Sequence, residues 1–308
     1  MTTTLTDRPT GTDSAMAQVT IGIYEKALRW SGDWDTFCDD VRTAGFSFVD
    51  LSIDETPERR ARLAWSSDTR RQVRDAAERQ GIQLGGLCLS VHRAVGPGSA
   101  DPQVRAEADR IFAQGIHLCR DLGIPVLQVA GYFAYYEPAD PGERGRYVAA
   151  LRRAIPIAAR AGVLLGIENV DGHDVTSISR GMNIVREIDS PWLPMYPDVG
   201  NIAEQQLGEI EELRSGAGHI LAMHLKDVRV GEPRRVPMGE GIANFPKAFS
   251  ELARQAWRGR MMIEMWNDNA PDSVERCVSA RLIVEGWLRD AGIRVRTGKS
   301  LYPVSWGG

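Results

Sequence analysis

A chain of 308 residues with 43% hydrophobic content can bury a substantial core, and a single α/β barrel of about 250 residues plus insertions fills that length without a second domain. Its 37 basic and 41 acidic side chains leave a net charge of −4, with no positive field to gather DNA or RNA phosphates. No run approaches the roughly 20 consecutive apolar residues of a transmembrane helix, so the expected partner is a small molecule rather than nucleic acid or a membrane.

Residues 1–17 are rich in Thr, Ser, Asp and Gly and lack the apolar centre of a secretory signal, which predicts a disordered leader. Short apolar runs then alternate with amphipathic stretches eight times. The strand-like runs are Val19 to Tyr24, Phe46 to Ser52, Ile82 to Ser90, Val126 to Gly131, Val163 to Glu168, Trp192 to Asp198, Ile220 to Lys226 and Arg260 to Trp266. Helices are predicted over Ser67 to Gln80, Asp101 to Leu122, Gly142 to Ala161 and Asp272 to Ala291, closed by Gly81, Gly123, Gly162 and Gly292. Residues 294–308 lack helical periodicity, which makes them a tail or an arm onto a second subunit of a homo-oligomer. Cys38, Cys88, Cys119 and Cys277 are scattered singly, with no CxxC pair, as expected of reduced core residues in a cytoplasmic protein.

Near-continuous apolar strands alternating with helices call for a parallel sheet covered on both faces. The count of eight selects a closed (β/α)8 TIM barrel over residues 18–293. A dinucleotide fold would carry GxGxxG after its first strand, where this chain reads Glu25-Lys26-Ala27-Leu28.

Active sites of such barrels sit at the C-terminal rim of the strands, and the last four strands end in Glu168, Asp198, His224 and Glu264. Taken singly, each acid is explained as a helix cap or an arginine partner. Together, four polar groups embedded in apolar strands at one rim point to a shared divalent cation, because unpaired buried charge is costly. Three carboxylates and an imidazole suit Mn²⁺, Zn²⁺, Co²⁺ or Mg²⁺. Strand alternation puts Lys226 on the face of His224 and Trp266 on the face of Glu264, so both line the pocket. His92 lies at the same rim, where substrate contact competes with simple packing.

At this point the sequence resembles the L-ribulose-5-phosphate 3-epimerase family, within the xylose-isomerase-like sugar isomerases and epimerases. The resemblance is carried by Gly22 to Leu28, Phe48 to Thr56, Cys88-Leu89-Ser90 with His92-Arg93, Gln128 to Tyr132, Tyr196 to Asn201, His224 to Asp227, Gly239-Glu240-Gly241 and Ile263 to Trp266. It implies that the quartet ligates the cation, that Glu168 and Glu264 double as the proton-transfer pair, and that the substrate is a 2-ketopentose 5-phosphate epimerised at C3. The loop Asn169 to His173 matches the family less well.

In that chemistry the two glutamates work from opposite sides of an enediolate, while Asn201, Lys226, His92 and Trp266 orient hydroxyls or the sugar face. Arg229, Arg234, Arg235 and Lys26 are the candidates for the phosphate, against a solvated-loop reading. A free ketose, an aldose–ketose isomerisation and a non-catalytic sugar-binding barrel remain alternatives. A DNA-repair endonuclease would need more histidines than the five present.

Overall fold

The computed structural model describes residues 16–296, and the expectations for a leader and a tail fall mostly outside the described residues. Seven parallel strands form the ladder of a barrel: β1 Gln18–Tyr24, β2 Phe48–Ser52, β3 Gln83–Cys88, β4 Val126–Ala130, β5 Leu164–Glu168, β6 Ala222–Leu225 and β7 Arg258–Ile263. Their order is β5-β4-β3-β2-β1-β7-β6, every pairing parallel.

The remaining stave, between β5 and β6, is the run predicted as a regular strand from Trp192 to Asp198. It closes the barrel through single bridges instead: Met195 to Ile167 and Ile220, and Asp198 to His224. The cause is in the sequence, because Pro194 and Pro197 have no N–H to donate to a ladder. Their carbonyls accept instead, from Ile167 at 3.0 Å and His224 at 2.8 Å, while the Met195 and Tyr196 amides donate to His219 and Ile167.

A short strand lies outside this circle. β8, Arg294–Val295, pairs in parallel with Gln18 and Val19 of β1, so the fold continues two residues past the expected barrel boundary at 293.

Ten helices accompany the described strands: α1 Trp34–Thr43, α2 Pro57–Arg60, α3 Ser67–Gln80, α4 Pro102–Leu122, α5 Glu143–Ala161, α6 Ile178–Ile188, α7 Val199–Glu204, α8 Glu209–Ser215, α9 Phe245–Arg254 and α10 Ser273–Asp290. Local signals set their ends. The Asp101 side chain accepts the Gln103 amide at 2.7 Å and Pro102 opens α4 without wasting a donor. Gly123 closes it in the left-handed region at φ 72, where a side chain would be strained.

Strand residues alternate, apart from a register shift between β2 and β3. Val49, Leu51, Leu127, Val129, Leu165, Ile167, Met261 and Ile263 face the helices and join the main core, each worth roughly 1.5–3 kcal/mol when fully buried. Residues of the other phase, such as Phe48, Asp50, Tyr196, His224 and Met262, fill the barrel interior and are fully or almost fully buried. Glycines make room for them: a methyl group on Gly166 would stand 2.8 Å from Tyr196 Cβ. The four cysteines are buried and free. Among the described residues no helix is long and apolar enough to cross a membrane.

Candidate active site

Glu168 ends β5, Asp198 caps α7, His224 lies in β6 and Glu264 follows the last residue of β7. One ligand-capable atom from each falls within 4.8 Å of the others. His224 Nδ1 stands 2.8 Å from Glu168 Oε1 and 3.7 Å from Glu264 Oε2, so the two glutamates reach a common atom. Asp198 is fixed at both ends of its residue. Its Oδ1 accepts the Asn201 amide at 2.9 Å as the cap of α7, and the Asn169 side chain brackets its backbone N–H and C=O.

Lys226, one step up the same face from His224, donates to Asn201 Oδ1 at 2.7 Å and lies 3.4 Å from Asp198 Oδ2 and 3.8 Å from Glu264 Oε2. The next residue, Asp227, accepts the Gly239 and Gly241 amides at 2.9 Å each and folds the Gly-Glu-Gly loop onto the rim.

Three carboxylates thus face one ammonium and one imidazole, and protons make up the balance. Burial first, then the neighbouring Glu264 and Glu168 charges, push the Asp198 carboxyl up to about 8 despite Lys226. Burial opposes charge on His224, but Glu168 outweighs it and raises the imidazole to about 9. Lys226 is likewise held at about 12, and Lys226 and His224 keep Glu264 below the usual carboxylate range against its own burial. Asp198 Oδ2 and Glu264 Oε2 are buried without a hydrogen-bond partner. A divalent cation fits this donor set: it would satisfy both orphaned oxygens and replace the protons as counter-charge.

A cavity of about 270 Å³ opens above the quartet. Of the other residues expected at the site, Lys26, Asn201, Lys226, Trp266, Arg234 and Arg235 line it. Two do not. His92 is wholly buried, edge-on to Phe112 at 4.3 Å with Nε2 3.4 Å from the Ala108 carbonyl, so it packs β3's exit against α4. Arg229 is exposed and paired with Glu240 at 3.0 Å and Glu232 at 3.4 Å, away from the cavity.

Other lining residues had no role predicted from sequence. Gln128, the only polar residue in Val-Leu-Gln-Val-Ala, accepts the Leu89 amide through Oε1 and donates its amide to Glu168 Oε2. Arg93, Tyr132, Asp171 and Arg234 form a chain across four loops: Arg93 donates to the Tyr132 hydroxyl at 2.8 Å, that hydroxyl to Asp171, and Arg234 to the other Asp171 oxygen at 2.7 Å. Arg234 and Tyr132 hold Asp171 below the usual carboxylate range although burial works against it.

The xylose isomerase-like TIM barrel family model matches residues 38–287. The L-ribulose-5-phosphate 3-epimerase UlaE of Escherichia coli O157:H7 is 37% identical over 276 residues, which cover 90% of this chain and 97% of that protein. The chain belongs to the L-ribulose-5-phosphate 3-epimerase family of xylose isomerase-like TIM barrels. The family's UlaE from Shigella sonnei is 38% identical over 275 residues, 89% of this chain and 97% of the relative. Among solved structures, an L-ribulose 3-epimerase superimposes with a TM-score of 0.75 at 19% identity, covering 89% of this chain and 96% of its own. D-psicose 3-epimerase from Clostridium cellulolyticum H10 gives 0.74 at 17% identity, covering 88% and 99%. These two likenesses are of fold. Family membership makes the chain an enzyme of the carbohydrate epimerase class.

Proposed function

We propose that this enzyme inverts C3 of a 2-ketopentose 5-phosphate, interconverting L-ribulose 5-phosphate and L-xylulose 5-phosphate through an enediolate. The observation that carries the reading is the pair of glutamates flanking one imidazole nitrogen at 2.8 and 3.7 Å at the floor of a sugar-sized cavity. Inversion requires a base on each face of a planar carbon, and Glu168 and Glu264 come from staves separated by two others, on either side of His224.

A divalent cation, Mn²⁺ or Zn²⁺ by its donor set, held by Glu168, Asp198, His224 and Glu264 would supply Lewis acidity toward the C2 oxygen as charge grows there. One glutamate takes the C3 proton and the other returns a proton to the opposite face. The Gln128 amide aimed at Glu168 orients that carboxylate. Lys226, 3.4 Å from Asp198 and 3.8 Å from Glu264, favours their charged forms and holds Asn201 against the rim. Trp266 meets the Tyr24 ring at 6.1 Å and offers an apolar wall for a sugar face.

The phosphate end fits the cationic rim of Lys26, Arg93 and Arg234, in place of Arg229. A second reading, a free ketose, is favoured by the fact that each of these cations already has a partner: Asp54 at 2.5 Å, the Tyr132 hydroxyl at 2.8 Å and Asp171 at 2.7 Å. Incubation of the cation-loaded enzyme in D2O with L-ribulose 5-phosphate and with L-ribulose, followed by NMR, separates the two. Deuterium at C3 with epimer formation, much faster for the phosphate, supports the proposal. Equal rates select the free ketose, and deuterium at C1 makes the enzyme an aldose–ketose isomerase.

A further inference from the structure

A polar layer fills the barrel directly beneath the quartet, and nothing in the chemistry above uses it. Asp50 points inward from β2, fully buried, and its Oδ2 accepts the Tyr196 hydroxyl at 2.7 Å. The Tyr196 ring stands edge-on to the His224 imidazole, with centroids 4.5 Å apart. β3 leaves space for the carboxylate, since a methyl group on Gly85 would come within 2.6 Å of Asp50 Oδ1. Arg260, buried on the same face of β7 as Glu264, supplies the opposing charge. A carboxylate placed in a closed, glycine-lined pocket costs several kcal/mol in desolvation, so a purely space-filling role is better served by an apolar side chain.

Three atoms of this layer are buried with no hydrogen-bond partner: Asp50 Oδ1, His224 Nε2 and Arg260 Nη2. Ligand-capable atoms of Asp50 and His224 lie within 4.8 Å of each other. The other imidazole nitrogen, Nδ1, is the one that faces Glu168 and Glu264. An imidazole that ligates a cation through one nitrogen must donate from the other, and the acceptor of that N–H sets both tautomer and ring rotation. Cys88 shares the space, but its buried, uncharged thiol is a weak acceptor.

We propose that Asp50 is the positioning residue of His224: it draws the Nε2–H downward, directly or through one water, and so presents the Nδ1 lone pair to the cation. Through Tyr196, two residues before Asp198, the same carboxylate also steadies the segment that carries a second ligand. The proposal rests on His224 being a cation ligand, and the experiment separates the two ideas.

Protein labelled with ¹⁵N-histidine and loaded with Zn²⁺ is examined by NMR, with the His224 signals assigned from a His224→Gln variant. The expected spectrum has a proton on His224 Nε2, at low field and slow to exchange. Asp50→Asn should shift that proton upfield and weaken Zn²⁺ binding roughly ten- to hundredfold in a chelator competition. If Asp50→Asn does not fold, Tyr196→Phe should shift the same resonance in the same direction by less. A wild-type His224 whose Nε2 carries no proton in the Zn²⁺ form overturns the proposal, as does Asp50→Asn with an unmoved resonance and an affinity within twofold of wild type. Zn²⁺ binding that His224→Gln leaves intact removes the cation-site reading itself, and the role of Asp50 with it.

Discussion

Cation uptake by this site must expel protons, and the number is set by groups already described. In the cation-free protein Asp198 titrates at about 8 and His224 at about 9, both above their unfolded values. At pH 7 roughly a tenth of Asp198 and about 1% of His224 is in the ligand form, so apparent affinity should lie about three decades, or about 4 kcal/mol, below its plateau above pH 9. Between pH 6 and 7 both groups are protonated, and affinity should climb about a hundredfold over that unit. Isothermal titration calorimetry of Zn²⁺ or Mn²⁺ binding at pH 6.5, repeated in buffers of different ionisation enthalpy, counts the protons directly. About two released per cation is expected. A count near zero with a flat pH dependence would refute the charge balance assigned to the quartet. The sign carries over to stability. Both groups hold more protons folded than unfolded, so the cation-free fold loses their contribution as pH rises through 8 and 9, and the gap in Tm between loaded and stripped protein should widen from pH 6.5 to 9.

His92 supplies the opposite sign, because burial lowers its pKa to about 3 and the folded protein keeps it neutral. Stability should therefore fall by about 2 kcal/mol from this group as pH drops from 6.5 to 5, and His92→Phe should flatten that part of a urea-denaturation profile without changing KM. Arg229→Ala should leave kcat/KM within twofold of wild type in a steady-state assay, since its partners are Glu232 and Glu240 on an exposed loop. Gly166→Ala presses a methyl group to 2.8 Å from Tyr196 Cβ and should cost about 1–3 kcal/mol in urea denaturation, with a larger loss of cation affinity than a surface Gly→Ala such as Gly145.

Much of this arrangement is written in the period of the sequence. Alternation of two along each strand correctly put His224 with Lys226 and Glu264 with Trp266 on the cavity side. It did not reach His92, whose place just past the third strand left substrate contact and simple packing both open; packing is what the fold uses, because Ser90–Arg93 is a 3-10 turn, in which residues three apart share a face. Ser90 and Arg93 consequently line the cavity and His92 turns into the core. Gln128 carried a visible signal, a lone amide in an otherwise apolar buried strand. Arg234 was expected near the site, but its link through Asp171 and Tyr132 to Arg93 carried no signal, since it joins four loops that only the closed barrel brings together. The sixth stave was visible as an apolar run, but its two prolines turn it from a ladder into isolated bridges.

The most direct test of the two-base account is C3 proton exchange in D2O by Glu168→Gln and Glu264→Gln, each checked for full cation content and an unchanged melting profile. Epimer formation from L-ribulose 5-phosphate should fall by ~10²–10⁴-fold in both variants. Either variant turning over near the wild-type rate would contradict it and leave that glutamate a ligand alone.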